Sequence, residues 1–292
     1  LVATPGNAQV SIAFTAPSSD GGAAITNYEY STNNGWTWKA LSPANTTSPV
    51  VITVTSNTAT ALVNGTAYNV KLRAVNPAGT GTVSTAVSVT PRTTPGAPTS
   101  LVATAGNASA SIAFTAPTSN GGATITNYEY STDNGTTWKL FSPVDTTTPV
   151  VITIRSDSTA VLVNGTTYQV KLRAVNEAGT GTASAMVSVI PQTTASAPTI
   201  SAVTAATGRL TVTFTKPSSN GGATIKNYEY STNNGTTWKA FSPADTSTPL
   251  VITRRSDTTG SLVKGTTYKV RIRAINSRGK GTASASKTIT AK

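Results

Sequence analysis

The sequence predicts an all-β chain built as three tandem seven-stranded β-sandwiches in a rod. Composition points there first. Ser, Thr, Ala, Asn and Gly dominate, and only 11% of residues are charged, too few for amphipathic surface helices. Thr and Val favour strands, whereas Asn and Gly favour turns. Internal repetition is the second observation. Asn27-Tyr28-Glu29-Tyr30-Ser31-Thr32 recurs from Asn127 and again from Asn227, and Leu62-Val63-Asn64-Gly65-Thr66 recurs from Leu162 and, with Lys264, from Leu262. The step is 100 residues with no insertion, too long for a solenoid unit and suited to an independent domain. The third observation is strict alternation of apolar and polar residues over short segments.

Pro-containing stretches divide the copies. Pro91-Arg92-Thr93-Thr94-Pro95-Gly96-Ala97-Pro98 separates the first pair and Pro191-Gln192-Thr193-Thr194-Ala195-Ser196-Ala197-Pro198 the second. The units are therefore read as residues 1–92, 93–192 and 193–292. Counterparts of Thr93–Ser100 are missing before Leu1, so the first unit is expected to be truncated at its N-terminus, with further copies ahead of it.

Taking unit one in order, Val10, Ile12 and Phe14 form one face of a strand whose other face is Ser11 and Ala13. Tyr28 and Tyr30 flank an outward Glu29. Asn33-Asn34-Gly35 makes a turn, and Trp38 is placed, facing inward, in a short strand ending near Pro43. Val50-Val51-Ile52 and Ala61-Leu62-Val63 are read as two more strands. Tyr68, Val70, Leu72 and Ala74 share the inner face of a long strand, with Asn69, Lys71 and Arg73 outside. Ala78-Gly79-Thr80-Gly81 turns into a last strand from Val83 to Val89. About seven strands with turn signals every 8–12 residues predict two packed antiparallel sheets. Large rings at Tyr28, Tyr30, Trp38 and Tyr68 are expected to fill the gap between them.

Leu62, Thr66, Tyr68, Val70, Leu72, Ala74, Asn76, Gly79 and Gly81, at their spacing, resemble the corner, sixth strand and following loop of a fibronectin type III domain. Ile25, Tyr28 and Tyr30 followed by Trp38 resemble its third-strand region, and Pro98 and Pro198 stand where its domains begin. The likeness covers nearly all of the chain. It implies an immunoglobulin-like sandwich, a Tyr68 hydroxyl bonded to backbone upstream, and roles in spacing and adhesion. Departures are Phe14, Phe114 and Phe214 where a Trp is common, Asn64-Gly65 or Lys264-Gly265 where a Pro is frequent, and an extended segment from Ser42 to Ala61.

Chemistry is poorly provided for. With no Cys the chain has no disulfide, thiolate ligand or Cys nucleophile, and with no His it lacks the commonest general base and metal ligand. The single acids form no calcium constellation, and Gly21-Gly22 lacks the Lys of a phosphate loop. No run of about 18 apolar residues exists to span a bilayer. An enzyme is not expected, nor a catalytic, cofactor or metal residue. Glu29, Glu129 and Glu229 are read as cross-strand partners of outward cations. Asn-Gly pairs such as Asn34-Gly35 are read as turns.

Charge is the informative asymmetry. Unit one has four basic and two acidic residues, unit two has four and five, and unit three has fourteen and three, for a total of +12. The added cations include Arg254 for Ile154, Lys264 for Asn164, Lys269 for Gln169, Arg278 for Ala178 and Lys280 for Thr180. Together with Lys239, Arg255, Arg271 and Arg273 they are the candidate anion- or partner-binding residues, expected as a positive stripe on one sheet. Trp36, replaced by Thr136 and Thr236, is a candidate glycan or interdomain contact, with partial burial at the domain edge the plainer expectation. The expected function is a non-catalytic spacer and adhesion segment of an extracellular or cell-surface protein. Its expected partners are neighbouring domains of a longer chain and an anionic cell-envelope polymer or acidic protein surface. Nucleic acid is disfavoured because the stripe lacks interleaved exposed aromatics. The alternatives are a carbohydrate-binding accessory region of a polysaccharide-degrading enzyme, or a self-assembling fibre, tail or sheath component.

Overall fold

In unit one, β1 (Val2–Gly6), β2 (Gln9–Ala13), β3 (Asn27–Ser31), β4 (Lys39–Ala40), β5 (Val50–Ile52), β6 (Tyr68–Asn76), β7 (Gly79–Thr80) and β8 (Val87–Val89) form two antiparallel sheets in a computed structural model that describes all 292 residues. One sheet has the order β1-β2-β5; the other is β4-β3-β6-β7, with β8 also on β6. Because β7 and β8 both pair with β6, they act as one interrupted strand, which makes seven in all. The same eight elements recur as β9–β16 from Thr99 to Val189 and as β17–β24 from Thr199 to Thr290. The all-β expectation of three sandwiches is met.

Register decides which side chains are inside. Tyr28 pairs with Ala74 and Tyr30 with Leu72, so both rings point where Val70, Leu72 and Ala74 point, into a core shared with Val10, Ile12, Val50 and Ile52. Each fully buried side chain of this size contributes roughly 1.5–3 kcal/mol of transfer free energy. Equivalent residues form the other two cores, where Phe114 meets Tyr128 and Phe214 meets Tyr228 edge to face. The Tyr68, Tyr168 and Tyr268 hydroxyls accept the backbone N–H of Val63, Val163 and Val263 at 2.9–3.0 Å, tying each corner to the long strand as the family resemblance implied.

Three expectations are corrected. Trp38 is outside the core: it precedes β4 on the outer face, with the Arg73 guanidinium 4.3 Å from its ring centroid, and Trp138 and Trp238 repeat the arrangement beneath Arg173 and Arg273. Ala61–Val63 is not a strand, since only Ala61 bridges to Val54 before Asn64-Gly65 turns the chain. The last strand does not run unbroken from Val83, because the Ser84 hydroxyl takes the Leu72 N–H at 3.0 Å and interrupts the ladder.

Adjacent units share their junctions. The Arg92 N–H donates to Gly6 O in unit one at 3.0 Å, and the next N–H, of Thr93, donates to Gly121 O in unit two at 2.8 Å. Gln192 and Thr193 repeat this handover at Gly106 and Gly221. Pro91, Pro95 and Pro98 are all buried in the first junction.

Candidate functional site

Strand β22 (Thr267–Asn276) carries the cationic face of unit three. Tyr268, Val270, Ile272 and Ala274 are buried, and alternation turns Lys269, Arg271 and Arg273 outward. The neighbouring segment from Arg254 to Gly260 is held by a buried polar clasp. Ser256 Oγ accepts the Thr232 N–H at 3.0 Å, the Thr232 hydroxyl accepts the Ser256 N–H at 3.0 Å, and Thr237 Oγ1 lies 2.9 Å from Ser256 Oγ. The same clasp joins Thr32 to Ser56 and Thr132 to Ser156. Sequence pattern does not reveal it, because Ser and Thr there read as ordinary loop residues; their repetition at an unchanged spacing of 24 was the available signal.

On this scaffold the cations sort into two groups. Lys239 Nζ donates to Thr258 O at 3.3 Å and Arg254 to Thr259 O at 2.7 Å, so both converge on the loop that the clasp fixes. Arg255 lies 4.0 Å from Asp257, and its Nε has no partner. Arg255 and Lys269 line a cleft of about 460 Å³ with Asn233, Asn234, Asp257, Val263 and Tyr268. Arg271, whose Nε is likewise unpartnered, sits beside Gly235 at the rim of the same turn. Lys264 is exposed next to Val263. A guanidinium and an ammonium lining one open cleft, opposed by a single carboxylate, make a surface fitted to carboxylate, sulfate or phosphate groups.

The second group is already engaged within the fold. Glu229, directly opposite Arg273 across the β19 (Asn227–Ser231)–β22 pair, accepts from Arg273 at 2.6 Å and from Lys280 at 3.2 Å, and its side chain is only 7% exposed. Arg273 also covers Trp238. Two cations are thus neutralised in part on one carboxylate, confirming the cross-strand reading of these glutamates with Arg73, Arg173 and Arg273 as the partners. The Arg278 guanidinium reaches unit two and donates to Ala105 O at 3.0 Å.

Trp36 is 87% exposed at the turn after Asn34-Gly35, so the expected partial burial is not what the fold provides. Its neighbours in the turn are polar, and the ring stands free to stack.

Unit two has a cleft at the same place, about 380 Å³, lined by Asp133, Arg155, Asp157, Val163, Tyr168 and Gln169. Burial tends to raise the Asp133 pKa, but hydrogen bonds from the Thr137 hydroxyl, the Thr137 N–H and the Ser131 hydroxyl outweigh it and hold the carboxyl below its ordinary range. The Arg155 guanidinium bonds Asp157 and lowers that carboxyl too. The geometry is common to the units, while the charge is not.

No helix of the chain is long and apolar enough to cross a membrane. No curated protein matches the chain. Among solved structures, the crystal structure of chicken CNTN1 FN1–FN3 domains aligns over 99% of this chain and 96% of that one, at 17% identity and a TM-score of 0.34. Residues 196–290 match the family model described as the fibronectin type III domain. Units one and two repeat that unit's sequence in step and its strand pairing residue for residue. The third unit is accordingly a fibronectin type III domain, and the other two units repeat its sequence pattern and its strand order.

Proposed function

We propose that the chain is a non-catalytic spacer and adhesion segment of a secreted or surface-displayed protein, and that its third domain anchors it to an anionic polymer or acidic protein surface. Fixed junctions between sandwiches support the spacer role, since each linker is hydrogen-bonded to both neighbours rather than free. The observation that carries the anchoring role is the cleft of unit three, where Arg255 and Lys269 flank one acid on the loop that also draws in Lys239 and Arg254. Such a local excess of positive charge raises polyanion concentration at the surface and is screened by salt. Heparin chromatography of the whole chain tests it. The double variant Arg255→Ser with Lys269→Gln elutes at clearly lower salt than the parent; unchanged elution would remove the cleft from the reading.

Exposure of Trp36 favours a second reading, carbohydrate contact at unit one. A ring this accessible stacks on a sugar face without rearrangement. Polysaccharide pull-down by the parent chain that disappears in Trp36→Ala supports it, and equal retention rejects it.

A further inference from the structure

Two sandwiches joined by a short segment move relative to one another unless the joint is built against it. The two joints of this chain are built alike. At the first, the Gly65 N–H donates to Pro91 O at 2.9 Å and the Arg92 N–H to Gly6 O at 3.0 Å, which seals the segment onto unit one. The next residue already belongs to unit two, since the Thr93 N–H donates to Gly121 O at 2.8 Å and the Gly96 N–H to Ser119 O at 2.9 Å. No residue lies between the two sets of bonds to act as a hinge. Gly165 to Pro191, Gln192 to Gly106, Thr193 to Gly221 and Ser196 to Ser219 repeat them at the second joint.

Across each joint the units also meet directly, backbone against backbone. A Cβ on Gly122 would lie 2.3 Å from Gly65 N and 2.6 Å from the Asn64 carbonyl carbon. On Gly222 it would lie 2.3 Å from Gly165 N and 2.7 Å from the Asn164 carbonyl carbon. Neither side can give way. Asn64 accepts the Ala8 N–H at 2.8 Å and donates to Asn7 Oδ1 at 2.8 Å, so the corner is tied to the first hairpin of its own unit, and Asn164 is tied in the same way to Ala108 and Asn107. Facing it, the Gly122 N–H donates to Asn120 Oδ1 at 2.9 Å, and Asn120 O accepts from Asn176 Nδ2 at 2.8 Å. A loop held from behind by its own sandwich thus seats on a corner held by the other.

An arginine braces each joint, by different chemistry. Arg92 pairs with Glu177 at 2.7 Å across the first. Gln192 and Ser277 stand at those positions in the second, and there Arg278, the counterpart of Ala178, bonds Ala105 O of unit two instead. The partners have been exchanged and the restraint kept.

We propose that Gly122 on Asn64-Gly65, and Gly222 on Asn164-Gly165, are interlocks that hold the three sandwiches in one fixed relative orientation, so that the chain moves as a single rigid body. This rests on the spacer reading and deepens it: a spacer so built sets an angle as well as a distance between whatever it joins. It is independent of the cationic cleft.

Residual dipolar couplings of the whole chain in weak alignment test it. One alignment tensor fits the couplings of all three units in the parent. Gly122→Ala puts a methyl group where unit one's backbone stands, so unit one then needs a tensor of its own while units two and three still share one. Gly222→Ala frees unit three in the same way. Amide shifts of the three cores report that each variant still folds, and the parent measurement stands whatever the variants do. Ala at either site also meets a positive φ, of 83° and 81°. Gly208→Ala is therefore the control: its φ is 70° and a Cβ there meets nothing within 4 Å, so the single tensor survives. Separate tensors for the three units of the parent, a single tensor persisting in folded Gly122→Ala and Gly222→Ala, or its loss in Gly208→Ala would each overturn the interlocks. Small-angle scattering of the same parent keeps the two readings apart. An extended profile with separate tensors removes the interlocks alone, whereas a compact profile with one tensor removes the spacer and leaves the interlocks standing.

Discussion

Units two and three carry one scaffold and opposite surfaces. Between Ser119–Thr153 and Ser219–Thr253, 29 of 35 residues are the same, and both units pair Tyr128 or Tyr228 with Ala174 or Ala274 in identical register. At the cleft, however, Asp133 becomes Asn233 and Gln169 becomes Lys269, so one cation facing two acids becomes two cations facing one. Asn233 keeps the turn that Asp133 makes, accepting the Thr237 N–H at 2.9 Å as Asp133 accepts that of Thr137. Charge has therefore changed where folding does not depend on it. A sandwich core fixes the strands from inside, which leaves outward positions free to be rewritten for binding.

The sharpest break in the symmetry is at the outer glutamates. Glu229 answers two cations at 7% exposure, whereas Glu129 answers Arg173 alone at 16%. Removing a partner from a largely enclosed charge costs more than removing one from an accessible pair. Glu229→Gln is expected to cost about 2–3 kcal/mol and Glu129→Gln about 1 kcal/mol, measured by urea denaturation with unit-specific NMR probes. Equal costs would mean that Lys280 contributes nothing to the carboxylate.

Transplanting the charge tests whether the cleft alone distinguishes the two surfaces. Asp133→Asn together with Gln169→Lys gives unit two the ion balance of unit three on an unchanged turn. Heparin affinity of the whole chain is expected to rise on the order of tenfold at low salt, read as a shift in elution. No gain would show that Arg254, which is Ile154 in unit two, is required as well.

How much of this was legible in the sequence follows from what each residue answers to. The repeat, the sandwich and the inward Tyr28 and Tyr30 were readable because strand alternation is a short-range constraint with period two. Trp38 was misplaced because it precedes a two-residue strand, where alternation has nothing to count from; its ring goes outward to meet Arg73 across the sheet. The cationic positions were readable one by one. Their division into free and engaged sets was not, since Arg278 bonds a carbonyl 173 residues away and Lys280 shares an acid with Arg273. Those pairings depend on tertiary placement, not on spacing. The clasp between Thr232 and Ser256 was hidden for the same reason.

A smaller difference lies at the first hairpin of each unit. Ala108 holds a positive φ of 46°, and its N–H is bonded by Asn164 Oδ1 at 2.8 Å. In unit three the Asn is Lys264, which offers no acceptor, and the turn residue is Gly208, for which the left-handed region carries no penalty. Gly208→Ala is expected to cost about 1 kcal/mol, and adding Lys264→Asn should recover most of it in thermal melts. Failure of the second change to rescue would separate the two substitutions that the comparison joins.

The smallest expected effect concerns acid. Asp133 titrates below its ordinary value of 3.8 because hydrogen bonds from Thr137 and Ser131 outweigh the opposing effect of burial. The folded unit thus binds that proton less readily than the unfolded chain, and stability rises with pH across the interval between the two values. The contribution is present above about pH 4–5 and is lost as pH falls through 3.8 toward the depressed value. Asn233 has no such proton, so unit three lacks this component at the matching position. Hydrogen exchange at Tyr130 and Tyr230, followed from pH 5 to pH 3, should show unit two losing protection faster. Asp133→Asn should remove that part of the difference, leaving the remaining acids to account for what is left. A parent and variant with superimposable acid profiles would mean that the Asp133 hydrogen bonds serve the geometry of the turn and do not discriminate between its charge states.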